Sequence, residues 1–352
     1  MIKRKETIKL KIGNIEVGAD APISVQSMTN TDTRDVEATV RQINELEESG
    51  CEIIRLAVLN SDAADKLKEI KKHVNLPMIA DIHFDYRLAL QSIENGIDAL
   101  RLNPGNIGKP ENVEKVVKLA KINSVPIRIG VNAGSLQKDI AEMNLPLSEK
   151  LVLSAKRHIK ILEDLDFNLI KVSLKSSSVL TTINAYRKMS EDVNYPLHVG
   201  VTESGTLNGG NIKSSVGIGT LLAEGIGDTI RVSLTENPIE EVKTAYEILK
   251  ALDIRQRGIN FISCPTCGRT QINLIKLAKE VEERFKNCNK NLTIAVMGCA
   301  VNGPGEAKHA DYGIAGGIGE GYIFKKGEII LKVREDALLD TFENLLKEEE
   351  NI

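Results

Sequence analysis

Apolar and polar positions follow two periods along this chain, and the two periods take turns. Short apolar runs cover Ile23 to Thr29, Ile53 to Val58, Met78 to Ile82, Ala99 to Asn103, Pro126 to Val131, Leu169 to Leu174, Leu197 to Thr202 and Thr229 to Leu234. Between them lie amphipathic stretches such as Asp35 to Ser49 and Asn112 to Lys121. The first kind suits strands buried on both faces, and the second suits helices packed over them. Eight such strands, each followed by a helix, predict an α/β protein built on a (β/α)8 TIM barrel. A doubly wound open sheet would want a glycine fingerprint after its first strand, and Ile23 to Asp32 has none.

Two segments fall outside this rhythm. Thr7 to Gly18 alternates around Gly13-Asn14, a hairpin signal that would serve as a lid or plug. The polar run Asp253 to Gly258 reads as a linker. Beyond it the pattern predicts a helix over Thr270 to Asn287, a strand over Leu292 to Met297, a hairpin turning at Lys326-Gly327 and a helix over Glu335 to Glu350. One core seldom grows past about 250–300 residues. The 352 residues are therefore divided into a barrel domain, 1–258, and a small second domain, 259–352.

Composition narrows the function. The net charge of -3 provides no basic field, and 3% aromatic residues with no Trp provide no stacking platform, so nucleic acid is excluded as a partner. No apolar run approaches the roughly eighteen residues needed to cross a bilayer, and the charged start carries no signal region. Five cysteines, an odd number, argue for a reducing compartment, and the expected location is cytoplasmic.

Barrels place function where strands end, and here the ends are charged. Asp81 with His83, Arg101 with Asn103, Lys171 with Ser173 and Lys175, and Arg231 with Ser233 are spaced by two, so each set shares one strand face. Arg55 lies within the second strand, Arg128 and Asn132 bracket the end of the fifth, and Glu203 follows the seventh. The acids at this level are chiefly Asp81 and Glu203, too few for the cations. A surplus of buried guanidinium is costly unless an anion meets it, and its fork suits phosphate oxygens, so a diphosphate is the expected ligand. The glycine-rich Gly205 to Gly210, followed by Ser214-Ser215 and a helix from about Gly219, offers a weak phosphate-loop signal.

The second domain carries Cys264-Pro-Thr-Cys267, then thirty-one residues, then Cys299, and Glu306 closes the run that follows. Three convergent thiolates suit an iron–sulfur cluster or zinc, with Glu306 the nearest candidate for the last position. A carboxylate on such a site is displaceable by a substrate oxygen. Cys51 reads as a core residue, Cys288 as an exposed thiol, and His158 and His198 as packing or surface residues.

With these residues in view, the chain resembles the bacterial two-domain IspG/GcpE family, the 4-hydroxy-3-methylbut-2-enyl diphosphate synthases. The motifs that carry the resemblance are Ser263-Cys-Pro-Thr-Cys-Gly-Arg-Thr270, Met297-Gly-Cys-Ala-Val-Asn-Gly-Pro-Gly-Glu306, Ala80-Asp-Ile-His83, Arg101-Leu-Asn-Pro-Gly105 and Val201-Thr-Glu-Ser-Gly205. It implies a TIM barrel followed by a small α+β iron–sulfur domain of ferredoxin- or sulfite-reductase-like type. It implies an oxidoreductase of isoprenoid biosynthesis (the MEP pathway) that reductively opens 2-C-methyl-D-erythritol 2,4-cyclodiphosphate with two electrons and loss of water. The [4Fe–4S] cluster would be held by Cys264, Cys267, Cys299 and Glu306. Arg55, His83, Arg101, Asn103, Arg128, Asn132, Lys175, Arg231 and Ser233 would bind substrate. Glu203, Asp81 and Asn302, with Glu306, would take the catalytic roles. Flavodoxin or ferredoxin would supply electrons to a homodimer. The competing reading is a redox-silent barrel lyase or aldolase, with Lys171 or Lys175 forming a Schiff base and zinc stapling the second domain.

Overall fold

A computed structural model describes residues 2–299, 305 and 307–352. Two of the expected site residues, Asn302 and Glu306, lie outside the described residues. The chain divides into two compact units, residues 1–254 and 255–352, so the division falls inside the expected linker, four residues before the boundary read from sequence.

In the first unit a short hairpin, β1 (Leu10–Ile12) and β2 (Ile15–Val17), precedes eight parallel strands. These are β3 (Ser24–Met28), β4 (Ile53–Ala57), β5 (Met78–Asp81), β6 (Ala99–Leu102), β7 (Ile127–Asn132), β8 (Ile170–Lys175), β9 (His198–Val199) and β10 (Thr229–Ile230). They pair in the order β8-β7-β6-β5-β4-β3-β10-β9, and a parallel bridge from Val172 to Leu197 joins the two ends of that sheet. The barrel is thereby closed. Its outward residues, such as Ile54, Leu56, Val172 and Leu174, are buried under the helices. Those helices are α1 (Val36–Ser49), α2 (Ser61–Ile70), α3 (Tyr86–Glu94), α4 (Pro110–Ile122), the short α5 (Lys138–Ala141), α6 (Leu147–Glu163), α7 (Val179–Asp192), α8 (Leu207–Ala223) and α9 (Pro238–Ala251).

The hairpin is a plug and not a lid. Its Ile12 and Val17 pack with Ile53, Ile79 and Ala99, each the first or second residue of its strand, so it closes the end of the barrel opposite the loops that follow the strands. Capping agrees with the sequence signals: Asp35 Oδ1 accepts the Ala38 N–H at 3.0 Å to start α1.

The glycine-rich segment departs from expectation. Helix α8 begins at Leu207, twelve residues before the expected start, so Ser214-Ser215 lie in mid-helix and Ser214 is buried. The reason is packing: a Cβ on Gly210 would come within 2.4 Å of the Leu234 side chain. That glycine lets the helix approach the β10 loop; it does not build a phosphate loop.

The second unit is an α+β layer pair. Its mixed sheet runs β11 (Asn260–Ser263), β12 (Thr293–Met297), β13 (Tyr312–Gly316), β14 (Glu320–Lys325) and β15 (Glu328–Arg334) in spatial order, parallel as far as β13 and antiparallel after it. Helices α10 (Leu274–Phe285) and α11 (Leu338–Glu350) cover one face, with Phe285 and Phe342 meeting edge to face at 6.1 Å. Cys288 packs half-buried against this core, where an exposed thiol was expected, because the chain leaving α10 turns back under it. No helix among the described residues is long and apolar enough to cross a membrane.

Candidate active site

Strand alternation aims one set of residues from each barrel strand inward, and at the loop end these inward residues are polar. They enclose a cavity of about 130 Å3. Arg55, Asp81, His83, Arg101, Arg128 and Asn132 line one side of it, and Lys175, Arg231 and Ser233 line the other together with Ser173 and Thr202. Nine of the expected barrel residues thus converge on one space. Asn103 and Glu203 do not line it. Asn103 Oδ1 instead accepts the Gly130 N–H at 3.0 Å. Glu203 is exposed on the loop after β9 and holds φ at 52°, a strained backbone for a residue with a side chain.

Asp81 organises one wall. Its carboxylate accepts from Arg101 Nη1 at 3.1 Å and stands 3.5 Å from Arg55 Nε and 3.6 Å from His83 Nε2. Burial alone would push the Asp81 carboxyl up, but Arg55, the His83 hydrogen bond and Arg101 outweigh it and hold it well below the usual carboxylate range. Burial, with Arg231 and Arg101 nearby and Asp81 opposing, brings Arg55 down only to about 10, so it stays charged.

Arg101 Nη2 also donates to the Gly130 carbonyl at 2.9 Å. The guanidinium crosses β7 where only a glycine leaves room, since a Cβ on Gly130 would lie 2.4 Å from Arg101 Nε. Arg128 Nη1 donates to Ser173 Oγ at 2.9 Å, while its Nε and Nη2 have no hydrogen-bond partner among the described residues. Arg231 is met by Glu241 at 3.3 Å.

Sequence reasoning missed Glu241. It lies on α9 and reaches back over the barrel, 4% exposed, so the second acid at this level is Glu241 where Glu203 was expected. Met28 was missed too; its thioether receives Arg55 Nη2 at 2.9 Å and Arg231 Nη1 at 3.8 Å. Glu241 sits on a helix and reaches Arg231 only through the packing of α9 back on the barrel, and Met28 meets Arg55 and Arg231 across 27 and 203 residues, so no local pattern marks either. Four buried or half-buried arginines facing two carboxylates leave a positive field that an anion would neutralise.

In the second unit Cys264, Cys267 and Cys299 line a single pocket of about 220 Å3 with Arg269, Thr270 and Gly298. Cys264 Sγ accepts the Gly298 N–H at 3.2 Å. The Arg269 backbone N–H and side chain bring the Cys267 thiol below its ordinary range, favouring thiolate. No three His, Cys, Asp or Glu side chains among the described residues converge tightly enough to hold one metal ion. Three soft donors around one pocket are the kind of ligand set that zinc or an iron–sulfur cluster takes.

This combination defines a class: barrel proteins with a cationic cavity at the loop end of the strands and a cysteine-lined pocket on a second unit. The barrel is a widely used one. A dihydropteroate synthase from Yersinia pestis, 9% identical, matches with a TM-score of 0.52 over 70% of this chain and 100% of that one, a likeness of fold alone. The chain belongs to the GcpE family, whose TIM-barrel domain matches residues 7–246 and whose C-terminal domain matches residues 260–348. A relative from Clostridium perfringens is 62% identical over 96% of this chain and 97% of its own length. Another, from Clostridium acetobutylicum, is 60% identical over the full length of both. Each is a 4-hydroxy-3-methylbut-2-en-1-yl diphosphate synthase (flavodoxin).

Proposed function

We propose that this chain catalyses the reaction of those relatives, the reductive ring opening of 2-C-methyl-D-erythritol 2,4-cyclodiphosphate to 4-hydroxy-3-methylbut-2-enyl diphosphate. Counted on the neutral acids, the reaction consumes two electrons and two protons and releases one water. The observation that carries this reading is the cationic cavity, whose surplus of guanidinium suits a diphosphate, in a chain with relatives of this name over its full length.

Arg55, Arg101, Arg128, Lys175 and Arg231 would grip the diphosphate oxygens, and His83, Asn132 and Ser233 would fix its orientation. Asn103, through Gly130, would hold the strand end that Arg101 crosses. Asp81, kept ionised by its arginines, would orient Arg55 and Arg101 and accept hydrogen bonds; it would not give up a proton. Proton handling then falls to Glu203, with Asn302 and Glu306 as further polar groups. Cys264, Cys267, Cys299 and Glu306 would hold a [4Fe–4S] cluster, which would supply electrons and a Lewis-acidic iron. The relatives' name supports flavodoxin as the electron donor. The family resemblance supports a homodimer, with the cluster unit of one chain serving the barrel of its partner, in the cytoplasm.

Anaerobic protein reconstituted with iron and sulfide, supplied with the cyclodiphosphate and a chemical reductant, is expected to form the linear diphosphate. A protein that carries its cluster and converts none of the substrate overturns the reading.

A further inference from the structure

Beneath the cavity the barrel interior continues as a second polar layer to which the proposed function gives no role. Lys171 stands directly across the β7–β8 register from Arg128, on the same inward face of β8 as Ser173 and Lys175. It is 1% exposed, and its Nζ finds no hydrogen-bond partner among the described residues. Buried His198 of β9 adjoins the layer: its Nδ1 shares a 2.7 Å hydrogen bond with Thr229 Oγ1, and its Nε2 has no partner among the described residues. Ser24 Oγ and both polar atoms of the Gln26 side chain are likewise unpartnered. Barrels ordinarily fill this level with branched apolar side chains.

The charges around Lys171 decide its state. Arg55 of β4, Arg128 of β7 and Lys175 on its own strand are cationic or basic, His198 is kept neutral by burial, and Asp228, before β10, is the carboxylate that opposes them. Guanidinium does not lose its proton, so the arginines and the two cavity carboxylates leave a net positive interior before either lysine is counted. The amine is the group able to discharge. Burial first, then Arg128 and Arg55, push Lys171 well below the ordinary lysine range. Lys175 is pushed the same way by burial, Arg231, Arg55 and Arg128.

We propose that Lys171 balances the charge of the site: a neutral amine in the empty barrel, it takes up a proton when the anionic ligand enters above Arg128. The inference rests on the reading that the ligand is a cyclic diphosphate. Each phosphorus of that ligand carries one strongly acidic oxygen, so it enters as a dianion across the neutral range and offsets the field that discharged the amine. Linkage is reciprocal, so the proton in turn favours the ligand. Affinity is highest at the acidic end and falls by about tenfold per pH unit between the empty-state and occupied-state ranges of the amine.

The test is isothermal titration calorimetry of the cyclodiphosphate into the oxidised holoenzyme, without reductant, in two buffers of different ionisation enthalpy near neutral pH. The native protein is expected to take up at least about one proton per ligand bound, and Lys171→Met about one proton fewer, with a shallower pH dependence of affinity. Lys171→Gln serves if the methionine variant fails to fold. Binding without proton uptake by the native protein overturns the inference alone. So does uptake unchanged in the Lys171 variants, or uptake abolished by Lys175→Met and not by them. Absence of any binding overturns the functional reading and this inference together.

Discussion

Glu241 holds Arg231 at the barrel mouth, with Oε2 3.3 Å from Nη2, while its Oε1 accepts the Leu234 N–H at 3.0 Å. One buried carboxylate therefore sets both a ligand-facing guanidinium and the loop that leaves β10. Replacing it by glutamine keeps an acceptor for Leu234 but removes the charge facing Arg231. Leaving one member of a buried pair alone costs about 3–5 kcal/mol when the partner is deleted outright. Glu241→Gln is therefore expected to lower the melting temperature and raise KM about tenfold or more, with iron content unchanged. Thermal melts, Michaelis kinetics and iron assay check the three parts, and an unaltered KM would remove Glu241 from the site.

Gly130 and Arg101 yield a sharper separation of fold from binding. A methyl on Gly130 would press on Arg101 Nε, not on the backbone of a neighbouring strand. The guanidinium must move, and its hydrogen bonds to Asp81 and the Gly130 carbonyl go with it. Gly130→Ala is expected to weaken cyclodiphosphate binding about tenfold to a hundredfold and to leave the cluster spectrum intact. Arg101→Ala should behave alike. Bleaching of the cluster in either variant would point to folding and not to ligand contact.

His158 gives the pH dependence. Its Nδ1 accepts the Gly105 N–H at 3.2 Å and its Nε2 meets Gln137 Nε2 at 2.9 Å, so it ties together the loops after β6 and β7. Burial first, then Arg157, push it down to about 4. Between the unfolded value near 6.5 and about 4 the unfolded chain binds more protons, so stability falls as pH falls through that window. The full loss is on the order of 3 kcal/mol. Urea unfolding of the barrel at neutral pH and near pH 5 is expected to show part of this loss in the native protein and less of it in His158→Gln. Equal losses in the two would refute the assignment.

How much of this was legible depended on the range of each cause. The strands were, because an all-parallel barrel writes its buried faces as apolar runs, and the inward pairs spaced by two marked Asp81, Arg101, Lys175 and Arg231 as neighbours in space. Strands β9 and β10 are shorter than their apolar runs because the chain leaves the ladder at Gly200 and Arg231 to build the loops around the cavity. Glu241 was not legible, since it meets Ser27 and Arg231 only once α9 has packed back on the barrel. Helix α8 was placed too late because its glycines read as loop residues when their cause is close packing against Leu234 and Val201. Lys171 was read as sharing a strand face with Ser173 and Lys175, but that its Nζ has no hydrogen-bond partner among the described residues depends on how the barrel interior packs, which no spacing reveals.

The cysteine pocket yields the last prediction. Three thiols share it, and a cubane cluster has four corners to fill. If Glu306 supplies the fourth, its carboxylate is the hard donor in a soft set and the member most easily displaced. Removing it should then leave the three thiolates holding the cluster and the barrel holding its ligand. Glu306→Ala is expected to keep most of the iron and cyclodiphosphate affinity within about threefold of the native value, while turnover falls by two orders of magnitude or more. Cys264→Ser or Cys299→Ser, by contrast, should lose iron along with turnover. Iron and sulfide assay, calorimetry and single-turnover kinetics on the same preparations separate these patterns. Unchanged turnover in Glu306→Ala would take that carboxylate out of the mechanism, and full iron retention in both cysteine variants would take the pocket out of it.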